Sequence, residues 1–112
     1  MNERGDNQFQ CIATLSAREA LRYTPAGIPI VAATLQHESV LEEAGISRQV
    51  AFEMQAIAAG QIAALLERID MGMQYRFRGF MARKNRNSRA LVFHLTDIET
   101  ISQIQEPTNG IR

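Results

Sequence analysis

The chain has no tryptophan, one cysteine and three prolines, and its charges cancel: twelve Lys and Arg stand against twelve Asp and Glu in 112 residues. Each scarcity excludes something. A lone Cys11 allows no internal disulfide, which points to a reducing, cytoplasmic setting. Cys11 also sits in an apolar alternation, the surroundings of a buried, inert thiol. No apolar stretch approaches the roughly 20 residues of a membrane-spanning helix, so no membrane partner is expected. The start, MNERGDNQ, is polar and lacks the apolar core of a signal peptide. His37 and His94 are the only histidines and lie far apart in strand-like runs, whereas a metal site wants ligands at short spacings. Glu42 and Glu43 are neighbours in a polar stretch, which suits a solvated rim better than two carboxylates facing each other across a substrate. No glycine-rich phosphate loop follows a strand, and no nucleophile elbow is present. The chain therefore reads as a non-enzyme with no catalytic residues, metal, cofactor or small-molecule substrate.

What is present fits one domain, with 46% hydrophobic and 21% charged residues. The expected layout is a flexible N-terminus over 1–6, a folded domain over 7–104 and a flexible tail over 105–112, where QEPTNGIR looks frayed. FQCIATLSA (9–17) alternates with a period of two, as a half-buried strand does. YTPAGIP (23–29) is turn chemistry built on Pro25 and Gly27. IPIVAATLQHESV (28–40) reads as a second strand, with Pro29 near its start, where a missing N–H costs least. LEEAGIS (41–47) reads as a hairpin loop. Residues 48–60 suit either a strand, through Val50, Phe52, Met54 and Ala56, or a helix, through their alanines and Glu53. QIAALLERIDMG (61–72) has helical spacing at Ile62, Leu65, Leu66 and Ile69, with Gly72 as a stop; one long helix from about Ser47 to Asp70 is the rival reading. QYRFRGFMA (74–82) and RALVFHLTDIETI (89–101) read as two further strands, with Gly79 marking a bulge or bend. Three strands, one short helix between the third and fourth, and two more strands form the order of a mainly β, five-stranded OB-fold barrel.

The zero net charge hides a segregation. Six of the twelve cations lie between Arg76 and Arg89, and no Asp or Glu occurs from Met71 to Thr96. Six of the twelve acids lie between Glu38 and Asp70. Arg83, Lys84, Arg86 and Arg89 alternate with Asn85, Asn87 and Ser88 in the loop between the last two strands. That combination suits phosphate oxygens, since Arg offers a planar fork and Lys a point charge. In an OB-like order this loop is where nucleic acid is commonly held. Aromatic support is thin: Phe9, Phe52, Tyr75, Phe77 and Phe93 fall on the apolar side of their alternations and read as core. Tyr23 and Phe80 remain for base stacking. Binding dominated by charge, steep in salt and nearly sequence-blind is the expectation.

TPAGIP, LQHESVLEEAG followed by RQ, then GF and a basic loop before VFHL, spread over Asn7 to Ile101, resemble the primosomal replication protein N (PriB) family. These are bacterial relatives of the single-stranded DNA-binding proteins. The resemblance implies a homodimer of OB barrels that binds single-stranded DNA. It further implies docking on the PriA helicase, with other primosome proteins, and stimulation of unwinding at stalled forks. It matches the family's basic loop to Arg83, Lys84, Arg86 and Arg89, and adds Arg48 and, in the first loop, Arg22 beside Tyr23. It also makes 48–60 a strand and confines the helix to about 61–70. Three positions depart from the family: Ala51 replaces a stacking Trp, Ile46 an aromatic, and Glu38 a basic residue. These changes move weight onto the loop and onto Arg76 and Arg78. The alternative function is a protein-interaction scaffold of the primosome with weak or no DNA binding of its own. For the dimer contact, the strand edge carrying Gln8, Gln10 and Thr14 is one candidate.

Overall fold

The computed structural model describes residues 5–101, so Met1–Arg4 of the expected N-terminal segment and the tail from 102 onward lie outside the described residues. The elements run β1 (Phe9–Arg18), β2 (Arg22–Tyr23), β3 (Pro29–Glu43), β4 (Ile46–Ala59), α1 (Gln61–Arg68), β5 (Gln74–Arg83) and β6 (Leu91–Thr100). Pairing follows the order β1-β5-β6-β4-β3-β2, and β1 also pairs with β3, which closes five strands into a barrel. The expected OB-type architecture is therefore observed. One numbering changes: the two-residue β2 joins the first loop to β3, so α1 follows β4. Among the five long strands it still stands between the third and fourth.

Closure rests on a short parallel contact, Ala56 opposite Phe93 and Ile57 opposite His94. Every other ladder is antiparallel. The inward positions follow the period of two read from the sequence: Cys11, Ala13 and Leu15; Val31, Ala33 and Leu35; Ala56 and Ala58; Tyr75 and Phe77; Phe93 and Leu95. The interior is narrow, so alanines fill the close approaches while Phe77, Phe93, Leu15 and Leu35 supply the bulk. Each of those large side chains contributes about 1.5–3 kcal/mol by leaving water.

Two registers are broken. Ser16 is the extra residue of β1 between Leu15–Leu35 and Ala17–Thr34, and its hydroxyl donates to the Thr34 carbonyl at 3.1 Å. On the β5–β6 ladder, Arg78 faces Asp97 but Gly79 faces Leu95, so Thr96 bulges. Gly79 is required there by close approach. A Cβ at this position would lie 1.8 Å from the His94 carbonyl oxygen.

Helix α1 adds Ala63 and Leu66 to the core. Its C-terminal carbonyls, which have no partner within the helix, are capped from β1: the Arg18 guanidinium donates to Leu66 O at 2.8 Å and Ile69 O at 2.7 Å. A cation at a helix C-terminus also complements the dipole. The helix thus ends at Arg68, two residues short of expectation. Extended Ile69 ends it, while Gly72 serves another turn, its N–H donating to Leu15 O at 2.8 Å.

The polar stretch 41–47 is not a loop. β3 and β4 continue as a ladder out to Glu43 and Ile46, leaving Ala44 and Gly45 as a two-residue turn with φ of 54° and 77°. Two successive positive φ values are what a type I′ turn needs, and that turn's twist matches the hairpin's. The hairpin therefore runs beyond the barrel as an arm, and the molecule measures 52 × 34 × 31 Å. Phe52, expected in the core, lies on this arm. It is exposed and tilted against His37 with ring centroids 4.9 Å apart.

Candidate nucleic-acid interface

Residues 84–90 join β5 to β6. The loop closes on itself: Lys84 N–H donates to Ala90 O at 2.9 Å, and Ser88 N–H to Asn85 O at 3.2 Å. Asn85 Oδ1 accepts from Asn87 N–H at 2.9 Å, and Ser88 Oγ accepts from Ala90 N–H at 3.0 Å. The Asn85 and Ser88 side chains, expected to share in phosphate binding, thus support the loop backbone, as Asx and Ser turns do. The cations are what the loop presents. Arg83, Lys84, Arg86 and Arg89 are all exposed, and none pairs with an acid among the described residues.

The first loop meets this one across a groove. Thr24–Gly27 form a turn closed by Gly27 N–H to Thr24 O at 2.8 Å, with Pro25 at its second position. The turn brings Arg22 and Tyr23 onto the start of β3, opposite Ile30 and Pro29. Arg22 and Lys84 then line one groove of about 480 Å³, together with Asn85, Gln55, Ile57 and His94. Glu19 is its acid. Tyr23 is 67% exposed, and Arg22 has no ion pair among the described residues.

Three expected cations stand elsewhere and are already partnered. Arg76 reaches Glu99 at 3.2 Å; Arg78 reaches Asp97 at 2.8 Å and Glu99 at 3.3 Å, and donates to Gln10 Oε1 at 2.8 Å. Arg48 pairs with Glu43 at 2.8 Å near the arm's tip, where both are exposed. The stretch free of acids from Met71 to Thr96 is thus answered from β6, immediately past its end. The structure brings Arg22 and Lys84 into one groove, with Tyr23 next to Arg22 in the chain and Arg83, Arg86 and Arg89 next to or near Lys84, and leaves Arg48, Arg76 and Arg78 out of that lining.

His94 was missed as a groove residue. Its place depends on the parallel Ile57–His94 pairing, which no local pattern encodes. On the arm, Glu38 and Ala51, two of the departures from the family pattern, are direct cross-strand partners. Cys11 is buried, its Sγ 3.1 Å from His37 Nδ1, and burial pushes its thiol up, so it stays protonated. His37 is held by the Ile12 carbonyl at 2.7 Å and Ser39 Oγ at 2.9 Å, a structural role. No helix among the described residues is long and apolar enough to cross a membrane.

Comparison with known proteins agrees with this geometry. A family model described as "Another single-strand binding protein family" matches residues 7–97. Replication restart protein PriB of Nitrosomonas europaea is 41% identical over 95 residues, spanning 85% of this chain and 88% of that protein. The Bordetella pertussis PriB is 36% identical over 96 residues, spanning 86% and 90%. A solved structure of PriB from Ralstonia solanacearum superposes with a TM-score of 0.79 at 44% identity, covering 86% of this chain and 98% of that one.

Proposed function

The chain belongs to the single-strand binding protein family that includes the PriB replication restart proteins, and from that premise we propose that it is a single-stranded DNA-binding accessory protein of the replication-restart primosome. It holds the phosphate chain with the β5–β6 loop and Arg22, and it has no catalysis of its own. The observation that carries the reading is a set of five cations, Arg22, Arg83, Lys84, Arg86 and Arg89, that have no acid partner among the described residues; two of them, Arg22 and Lys84, line one groove. Exposed cations without internal partners are free to displace the counterions of a nucleic acid. The setting is cytoplasmic. The protein works as a homodimer, and the edge of β1 over Phe9–Ala13 that faces away from β5 has no strand partner within the chain, although His37 engages its Ile12 carbonyl, and is the candidate for strand pairing between two copies.

Anisotropy titration of a labelled oligothymidylate over a series of salt concentrations tests the reading. Five phosphate contacts give a slope of log K against log salt of about −3.5. Replacing Arg83, Lys84, Arg86 and Arg89 with Ala should flatten it; equal, weak binding by both proteins overturns the DNA assignment.

A second surface recruits the PriA helicase and stimulates unwinding. The arm favours an interaction role, because Val40, Leu41 and Ile46 are 57–66% exposed there. This is the observation behind the alternative, a scaffold with weak DNA binding. Strong helicase stimulation by a loop variant that no longer binds DNA would select it.

A further inference from the structure

One transverse row crosses four strands of the barrel's outer face. Ala32 on β3 stands opposite Ile57 on β4, Ile57 opposite His94 on β6, and His94 opposite Phe80 on β5. The first three line the groove that Arg22 and Lys84 border. The row ends in two parallel rings: Phe80 and His94 lie with centroids 5.0 Å apart and planes 5° from each other.

The pair is built rather than incidental. Gly79 precedes Phe80, and its missing Cβ is what lets β5 approach the His94 carbonyl. Both rings stand on paired strands, so little conformational entropy remains to be lost when a ligand covers them. Phe80 is nevertheless 39% exposed, in a chain with no tryptophan and with alanine and isoleucine at positions 51 and 46 of its arm.

We infer that Phe80, held flat against His94, is a nucleobase-stacking platform. The strand whose phosphates follow Arg22 and Lys84 lays a base on it. Charge complementarity selects this occupant over a protein side chain. The ring lies on His94, which lines the groove that the unpaired Arg22 and Lys84 border, and an apolar ring next to such a groove matches the alternation of base and phosphate. The contact is sequence-tolerant, since every base has a π-face. The inference rests on the groove binding single-stranded nucleic acid.

The test uses two oligonucleotides of equal length and charge, one oligothymidylate and one abasic, with Phe80→Ala, Phe80→Leu and Phe80→Trp. Phe80→Ala should lose on the order of tenfold or more in affinity for oligothymidylate and nothing for the abasic strand. Phe80→Leu keeps apolar volume without a ring and should lose nearly as much. Phe80→Trp supplies the chain's sole tryptophan, whose fluorescence should be quenched by oligothymidylate and not by the abasic strand. Unchanged binding in the Ala and Leu variants with no quenching, while the four-residue loop variant loses both strands, overturns the platform and leaves the binding site standing. Equal loss on both strands in Phe80→Ala also overturns it, as a structural role only. If the wild type binds neither strand, the binding-site reading fails and the platform falls with it.

Discussion

Strand β5 carries two groups of cations that differ in what faces them. Arg76 and Arg78 lie mid-strand opposite Glu99 and Asp97 of β6, and the ladder register turns the four charges into a network. Arg83 and the cations after it lie at the strand's end, where β6 offers Leu91 and no acid. Two successive stretches of one basic segment thus have opposite fates. The difference teaches that a cluster of like charge in sequence says nothing of availability until the neighbouring strand is placed.

The bluntest way to break the comparison is to separate the strands that create it. Gly79→Ala puts a methyl into the His94 carbonyl. It should cost several kcal/mol, at the exceptional end for one substitution, and lower the melting temperature more than any of the charge variants below.

Removing the free group comes next. With Arg83, Lys84, Arg86 and Arg89 changed to Ala, single-strand affinity near about 0.1 M salt should fall on the order of several hundredfold. The salt slope should become shallower by about 2.8, with the melting temperature unchanged because these side chains are exposed and unpaired.

Freeing the bound group sharpens the contrast from the other side. In Asp97→Asn/Glu99→Gln, Arg76 and Arg78 lose their partners, and single-strand affinity should rise about five- to tenfold with a steeper salt slope. An unchanged slope would show that this face lies off the path of the strand.

The smallest effect is expected from Arg76→Ala/Arg78→Ala, because those charges are already neutralised. Affinity should change by less than about threefold, and chemical denaturation should show a loss within about 0.2–1 kcal/mol per exposed pair.

Much of the fold was legible in advance. The period of two at Phe9–Leu15, Tyr75–Phe77 and Leu91–Leu95 names inward positions that prove buried or half-buried, except Leu91, because a strand's faces are set by its pleat. Gly79 was legible as a bulge or bend, since a glycine inside a strand often marks one, and the β5–β6 register does break there. The arm was not. LEEAGIS looks like a loop by composition, yet its polar residues sit on a solvated hairpin ladder, where no apolar face is needed to register a strand. Phe52 was misplaced for the same reason: its alternation continues past the end of the barrel, where the inward side of the strand no longer has an interior to face. Of the site, the loop cations and Arg22 were visible as residue types, while their separation from Arg48, Arg76 and Arg78 was not.

By itself, then, the sequence determined the local choices: which residues pleat inward, that helical spacing runs through Ile62–Ile69, and that cations accumulate before the last strand. These follow from periodicity and propensity, which act over a few neighbours. The tertiary structure alone decided which cations are neutralised, that His94 joins β3 and β4 in one groove, and that Phe80 lies flat on it. Those facts depend on strand register and barrel closure, which bring together residues tens of positions apart.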